Sequence, residues 1–178
     1  MNGNPADNAL QAALEGNDPA AVDLLWARYA KDLLTYLQAI LCSLHDAEDV
    51  FQMVFVRIVR KRRQLAKARC LDAYIYQIAR NEALRLIGRR KSDKTAKTVK
   101  EPWLIRSESS RASEDLAERL QKALARLPQP QREVIVMKTY RHKTFLEIAQ
   151  LLGLSQNTVA SRYRYGMEKL RILLENLI

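Results

Sequence analysis

The chain has 178 residues, 48% of them hydrophobic, enough for one ordinary domain or two small ones with a modest core each. Its 30 Lys and Arg against 20 Asp and Glu give a formal charge of +10, which favours a polyanionic partner, either nucleic acid or an anionic membrane surface. Two cysteines, Cys42 and Cys70, and two histidines, His45 and His142, exclude a disulfide framework and a zinc site.

The N-terminus, Met1 to Asn8, is polar and lacks the apolar stretch of a signal peptide. No apolar run reaches the roughly 20 residues needed to span a bilayer. The expectation is a cytoplasmic protein with no membrane insertion of its own. Gly and Pro number five each, and helical periodicity dominates where strand-like alternation is absent. The expected fold is all-α.

Asp18-Pro19 reads as an N-cap followed by Pro at the first helical position. A long helix follows through Leu24, Leu25, Tyr29, Leu33, Tyr36 and Ile40, with Cys42 as a small core residue. Asp46 is the expected cap of a second helix running to about Arg62. Phe51, Val54, Phe55 and Ile58 form its core face, and Asp49, Gln52, Met53, Val56 and Arg60 its outer face. Apolar Met53 and Val56 on the wet side suit a protein-docking surface; the alternative is a helix buried on both sides. Asp46, Glu48 and Asp49 favour the macrodipole of a first helical turn rather than a metal or acid–base site.

A basic run follows: Arg57, Arg60, Lys61, Arg62, Arg63, Lys67 and Arg69. It leads into a helix from Asp72 to about Arg90, with Ile75, Ile78, Ala79 and Leu86 inside. Gln77, Arg80, Asn81 and Arg85 lie outside, with Tyr74 at the edge. Basic groups interleaved with amides and aromatics suit single-stranded nucleic acid; a solvated charged face is the alternative. From Lys91 to Ser113 periodicity fades into a charged linker that holds one apolar patch, Trp103-Leu104-Ile105.

Four more helices are expected: Glu114 to Leu127, Pro130 to about Tyr140, Thr144 to Leu152, and Ser155 to about Leu177. The last two have helix-turn-helix spacing. Ala149 is small where the helices touch, Gly153 suits a left-handed turn, Val159 locks the crossing, and Ser155 caps the second helix. At about 100° per residue, Val159, Tyr163, Gly166 and Leu170 face the core. Asn157, Ser161, Arg164 and Glu168 face outward, as base-reading side chains do, and Arg162 and Lys169 flank them near phosphates. An ordinary helical hairpin with a Gly turn is the alternative.

These segments resemble the extracytoplasmic-function sigma factors of bacterial RNA polymerase. DAEDVFQMVF (Asp46 to Phe55) resembles region 2.2 of that family. YIYQIARNEALRLIGRR (Tyr74 to Arg90) resembles regions 2.3 and 2.4, and LPQPQREVIVMK (Leu127 to Lys138) with the helix-turn-helix resembles region 4. Met53 stands where Glu is usual, Tyr74 where Trp is usual and Arg85 where Asp is common. Tyr165-Gly166-Met167 replaces the common Arg-Ala-Arg.

The resemblance implies a region 2 bundle over 1–92, a flexible linker over 93–112 and region 4 over 113–178. It implies core polymerase, promoter DNA and an anti-sigma factor as partners, with no cofactor and no catalysis. Asp49, Gln52, Met53 and Val56 would meet polymerase. Lys67, Arg69, Tyr74, Gln77, Arg80, Asn81 and Arg85 would hold the melted -10 element. Asn157, Thr158, Ser161, Arg162, Arg164, Tyr165 and Lys169 would hold the -35 duplex. A stand-alone helix-turn-helix regulator is the competing reading. A nucleic-acid-processing enzyme lacks a carboxylate or histidine constellation.

Overall fold

The computed structural model describes residues 5–16, 18–92, 111–139 and 142–176, and every regular element among them is a helix. Of the expected linker, 93–110 lies outside these residues, and so does the Trp103-Leu104-Ile105 patch, whereas Lys91 and Ser92 end one helix and Arg111 to Ser113 begin another.

Helix α1 (Pro5–Glu15) was not among the expected elements. Its only strong apolar signal is the pair Leu10 and Leu14, four residues apart, and both are buried. Gln11 Nε2 donates to the Ala66 carbonyl at 3.0 Å. That bond ties α1 to α4 (Arg62–Ala66), a short helix where a basic loop was expected.

Helix α2 (Ala20–Leu41) starts as its sequence indicates. The Asp18 side chain accepts from the Ala20 N–H at 2.9 Å, and Pro19 already has helical dihedrals. The helix ends at Cys42, which is half-buried rather than a core residue and takes a left-handed φ of 53°. Leu24 also departs from expectation. With Leu25, Tyr29, Leu33 and Tyr36 defining the buried stripe, Leu24 falls off it and is exposed.

The cap of α3 (Leu44–Arg60) is Ser43, not Asp46: the Ser43 hydroxyl accepts from the Asp46 N–H at 3.3 Å. Asp46 is instead buried and paired with Arg90 of α5 (Leu71–Ser92). A buried carboxylate needs such a partner, and this pair ties the start of α3 to the end of α5.

Helices α6 (Arg111–Arg126), α7 (Gln129–Thr139), α8 (Phe145–Leu152) and α9 (Gln156–Glu175) complete the chain. Both expected helical groups are present, and they lie against each other. Val134, Met137, Ile148, Ala149, Leu151, Leu152 and Val159 from the second group share one buried cluster with α1 to α5. Ala39 of α2 joins a second cluster with Leu124, Leu127, Ile135 and Val136. Tyr36 and Tyr76 meet edge to face at 5.1 Å beneath this seam.

Candidate functional site

Three exposed faces carry the side chains singled out by the sequence. The first is the outer side of α3. Asp49 and Gln52 are exposed, and Met53 and Val56 are 51% and 50% exposed, so the helix is not buried on both sides. Asp49 lies 3.6 Å from His45 Nε2, one turn away, a solvent-facing pair of little energetic weight. Sequence reasoning missed Trp26 on α2. It is 53% exposed and sits edge-on to Phe51 at 5.5 Å and Phe55 at 4.9 Å, extending the apolar stripe onto α2. Its position, next to Leu25 but off the buried stripe, was the available signal.

The second face is the turn after α4 together with the first half of α5. A cavity of about 460 Å³ opens there, and its walls include Arg69, Tyr74, Gln77 and Asn81, together with Lys61 and Cys70, which the sequence reading had not assigned. Lys67 is exposed nearby. The Tyr74 hydroxyl donates to Gln64 Oε1 at 3.0 Å, so the ring is held at the rim by α4. Arg85 is exposed further along α5, with Nη1 at 3.7 Å from the buried Glu82, whose nearer partner is Arg57. Arg80 does not join this group. Its Nε donates at 3.0 Å to Glu133 of α7, on the inner side of α5.

The third face is the helix-turn-helix. Thr144 and Glu147 form a reciprocal capping box at the start of α8, and these bonds hold the Glu147 carboxyl below its usual range. Gly153 takes the left-handed turn at φ 65°, and Ser155 caps α9 by accepting from the Thr158 N–H at 3.1 Å. Ala149 and Val159 are buried at the crossing. Gly166 lets α9 approach α7 closely: a Cβ there would lie 2.9 Å from Ile135 Cδ1 and 3.1 Å from Gln131 Cβ.

Outward from this scaffold stand Asn157, Arg164, Tyr165 and Lys169. Arg164 is folded over the Tyr165 ring, 4.9 Å from its centre, and Nη2 is 3.2 Å from the phenol oxygen. Ser161 and Thr158 are half-buried, and the Ser161 hydroxyl donates back to the Asn157 carbonyl at 2.8 Å. Arg162 is half-buried, with Nη1 enclosed and making no hydrogen bond among the described residues. Among the described residues no three His, Cys, Asp or Glu side chains converge on a metal site. No described helix is long and apolar enough to cross a membrane.

A family model described as Sigma-70 region 2 matches residues 25–93, and one described as Sigma-70, region 4 matches residues 117–170. The first match covers the N-terminal half and so disfavours a helix-turn-helix regulator that works alone. The ECF RNA polymerase sigma factor RpoE of Cereibacter sphaeroides is 30% identical over 169 residues, covering 91% of each chain. The RNA polymerase sigma factor SigZ of Bacillus subtilis is 25% identical over 158 residues, covering 86% of this chain and 87% of that one. Among solved structures, the sigma factor RpoE in complex with the anti-sigma factor NepR, from Bartonella quintana, has the same fold. Its TM-score is 0.72 at 21% identity, covering 88% of this chain and 98% of that one. Two matched regions in the family's order, and a relative aligned over nearly its whole length, make this chain a member of the extracytoplasmic-function sigma factors, which join core RNA polymerase and direct it to promoter DNA.

Proposed function

We propose that the three faces divide promoter recognition among them, with region 2 spanning 1–92 and region 4 spanning 113–178. The α3 face binds core polymerase through Asp49, Gln52, Met53 and Val56. The cavity face takes the melted -10 strand: Lys67 and Arg69 neutralise phosphates, Tyr74 stacks, and Gln77 and Asn81 hydrogen-bond the edge of an extruded base. Arg85 adds charge from the exposed side of α5, and Arg80 adds its own where Glu133 does not hold it. On α9, Asn157, Thr158, Ser161, Arg164 and Tyr165 face the -35 bases, while Arg162 and Lys169 hold phosphates. The work is binding, without catalysis, and its place is the cytoplasm, where the chromosome is.

An anti-sigma factor is the proposed regulator. The solved RpoE relative is described in complex with one, and the exposed Trp26, Met53 and Val56 offer this chain's apolar surface for such a partner.

The observation that carries this reading is the cavity at the start of α5, where cations, a ring and two amides meet around one hollow. Asn81 lines it and is exposed, so its amide is available to a base. Asn81→Ala is therefore expected to keep core binding, -35 binding and thermal stability while losing open-complex formation. Permanganate footprinting of the -10 region, paired with a melting curve, checks this. A normal footprint, or a failed footprint from a markedly destabilised protein, rejects the base-reading role.

A further inference from the structure

Arg164 and Tyr165 are adjacent on α9, and both are exposed. Helix neighbours project about 100° apart. An outstretched Arg164 therefore stands with Asn157 and Glu168, whereas Tyr165 stands with Thr158 and Lys169. The guanidinium departs from that course. It lies 4.9 Å from the centre of the Tyr165 ring, and Nη2 donates to the phenol oxygen at 3.2 Å. The ring thus draws the cation around the helix, toward the stripe of Thr158 and Lys169. Glu168, exposed and one turn on, is the ion-pair partner that i, i+4 spacing offers Arg164, yet the cation sits on the ring. Position 165 is also where this chain departs from the Arg common in the family, so the stack returns a positive charge to a side of the helix whose own residue lacks one.

We propose that Tyr165 is a positioning residue for -35 recognition: its ring holds the Arg164 guanidinium ready for a base edge and keeps it from Glu168. This rests on the reading of Arg164 given above. A guanidinium reads guanine through two parallel bonds, to O6 and N7, and these need its plane fixed. A long side chain free in solvent must be ordered on binding, which weakens affinity. A cation already resting on an aromatic face has been ordered beforehand. The bond to the phenol oxygen takes one of the five guanidinium N–H groups and leaves the others for the base. Tyr165 therefore acts through Arg164, and the choice of base at one position depends on a side chain that need not touch it.

The test uses the full chain bound to core polymerase, with a duplex that the wild-type holoenzyme selects from a pool randomised across the -35 element. Competition binding compares Tyr165→Phe, Tyr165→Leu, Arg164→Ala and the Arg164→Ala, Tyr165→Leu pair. Tyr165→Phe keeps the ring face and is expected to stay within about twofold of wild type. Tyr165→Leu keeps apolar bulk without a π face and is expected to lose about three- to tenfold, the cost of ordering one long side chain on binding. Adding Glu168→Gln to Tyr165→Leu is expected to recover part of that loss. In the Arg164→Ala background, Tyr165→Leu is expected to lose nothing further, which is the coupling a double-mutant cycle reports. An undiminished further loss in that background overturns the positioning role while leaving Arg164 as a reader, because Tyr165 then contacts DNA on its own. Wild-type affinity for Tyr165→Leu overturns it too. Wild-type affinity for Arg164→Ala overturns it together with the reading of Arg164.

Discussion

Arg132 lies buried with Nη1 within 3.2–3.3 Å of the Leu124, Ala125 and Leu127 carbonyls, which end helix α6. Burial pushes its pKa down from the usual value, so the surrounding carbonyl dipoles are what keep the charge tolerable. Arg132→Ala leaves four carbonyls, three of them buried, without this donor and is expected to cost about 3 kcal/mol, read as a lower urea midpoint. Arg132→Lys should not rescue it, because an ammonium lacks the planar fork.

Arg164 has the opposite setting, exposed and stacked on Tyr165. There Ala is expected to leave folding intact. It should cost roughly 1–3 kcal/mol of -35 affinity on cognate duplex and relax specificity at one base pair. Arg162→Ala should instead weaken binding to every sequence and reduce the salt slope by about one. Competition binding on cognate and scrambled duplex across a salt series checks both. Equal losses on the two duplexes for both variants overturn this division of roles.

At the scale of single helices, α8 carries a pH dependence whose sign follows from its cap. Bonds from the Thr144 N–H and hydroxyl lower the Glu147 pKa in the folded state. The unfolded chain keeps the ordinary Glu value of about 4.3. The cap's contribution is therefore complete above that value and fades as pH falls through the lower folded-state pKa. Thermal melts between neutral and acid pH should show this loss, and Glu147→Gln should flatten it. Because the side chain is 48% exposed, solvent screening keeps the effect small.

The legible elements were those with a strong local signal. The Ser155 cap, the Gly153 turn and the Val159 lock each follow from one residue's chemistry, and all three are found where expected. The outer stripe of α3 was legible because Met53 and Val56 break the polar pattern. Helix α1 was not, since two leucines among small residues gain their stabilisation only by packing on distant helices. Asp46 was misread as a cap because its partner Arg90 is 44 positions away. Arg80 was placed outward because a period alone does not reveal that a second group of helices covers one side of α5.

For the whole molecule, the shared core makes dissection costly. Tyr36, Leu37 and Ile40 of α2 are fully buried or nearly so with both groups present, and removing α6 to α9 bares much of that seam. A chain ending at residue 92 is expected to be less stable and to self-associate, as newly exposed apolar patches do. Sedimentation and thermal melting against the full chain check this. An equally stable, monomeric fragment would mean that the seam adds nothing to the fold of region 2.

The same seam bears on inheritance. A hybrid gene that joins this region 2 to a foreign region 4 trades more than a -35 preference. It brings whatever residue stands opposite Tyr36 and Arg80, which in this chain both donate to Glu133. A half that lacks a carboxylate there leaves a buried phenol and a guanidinium without their acceptor, and the hybrid is the less stable for it. The two DNA-reading halves of this chain are therefore bound to diverge as a pair.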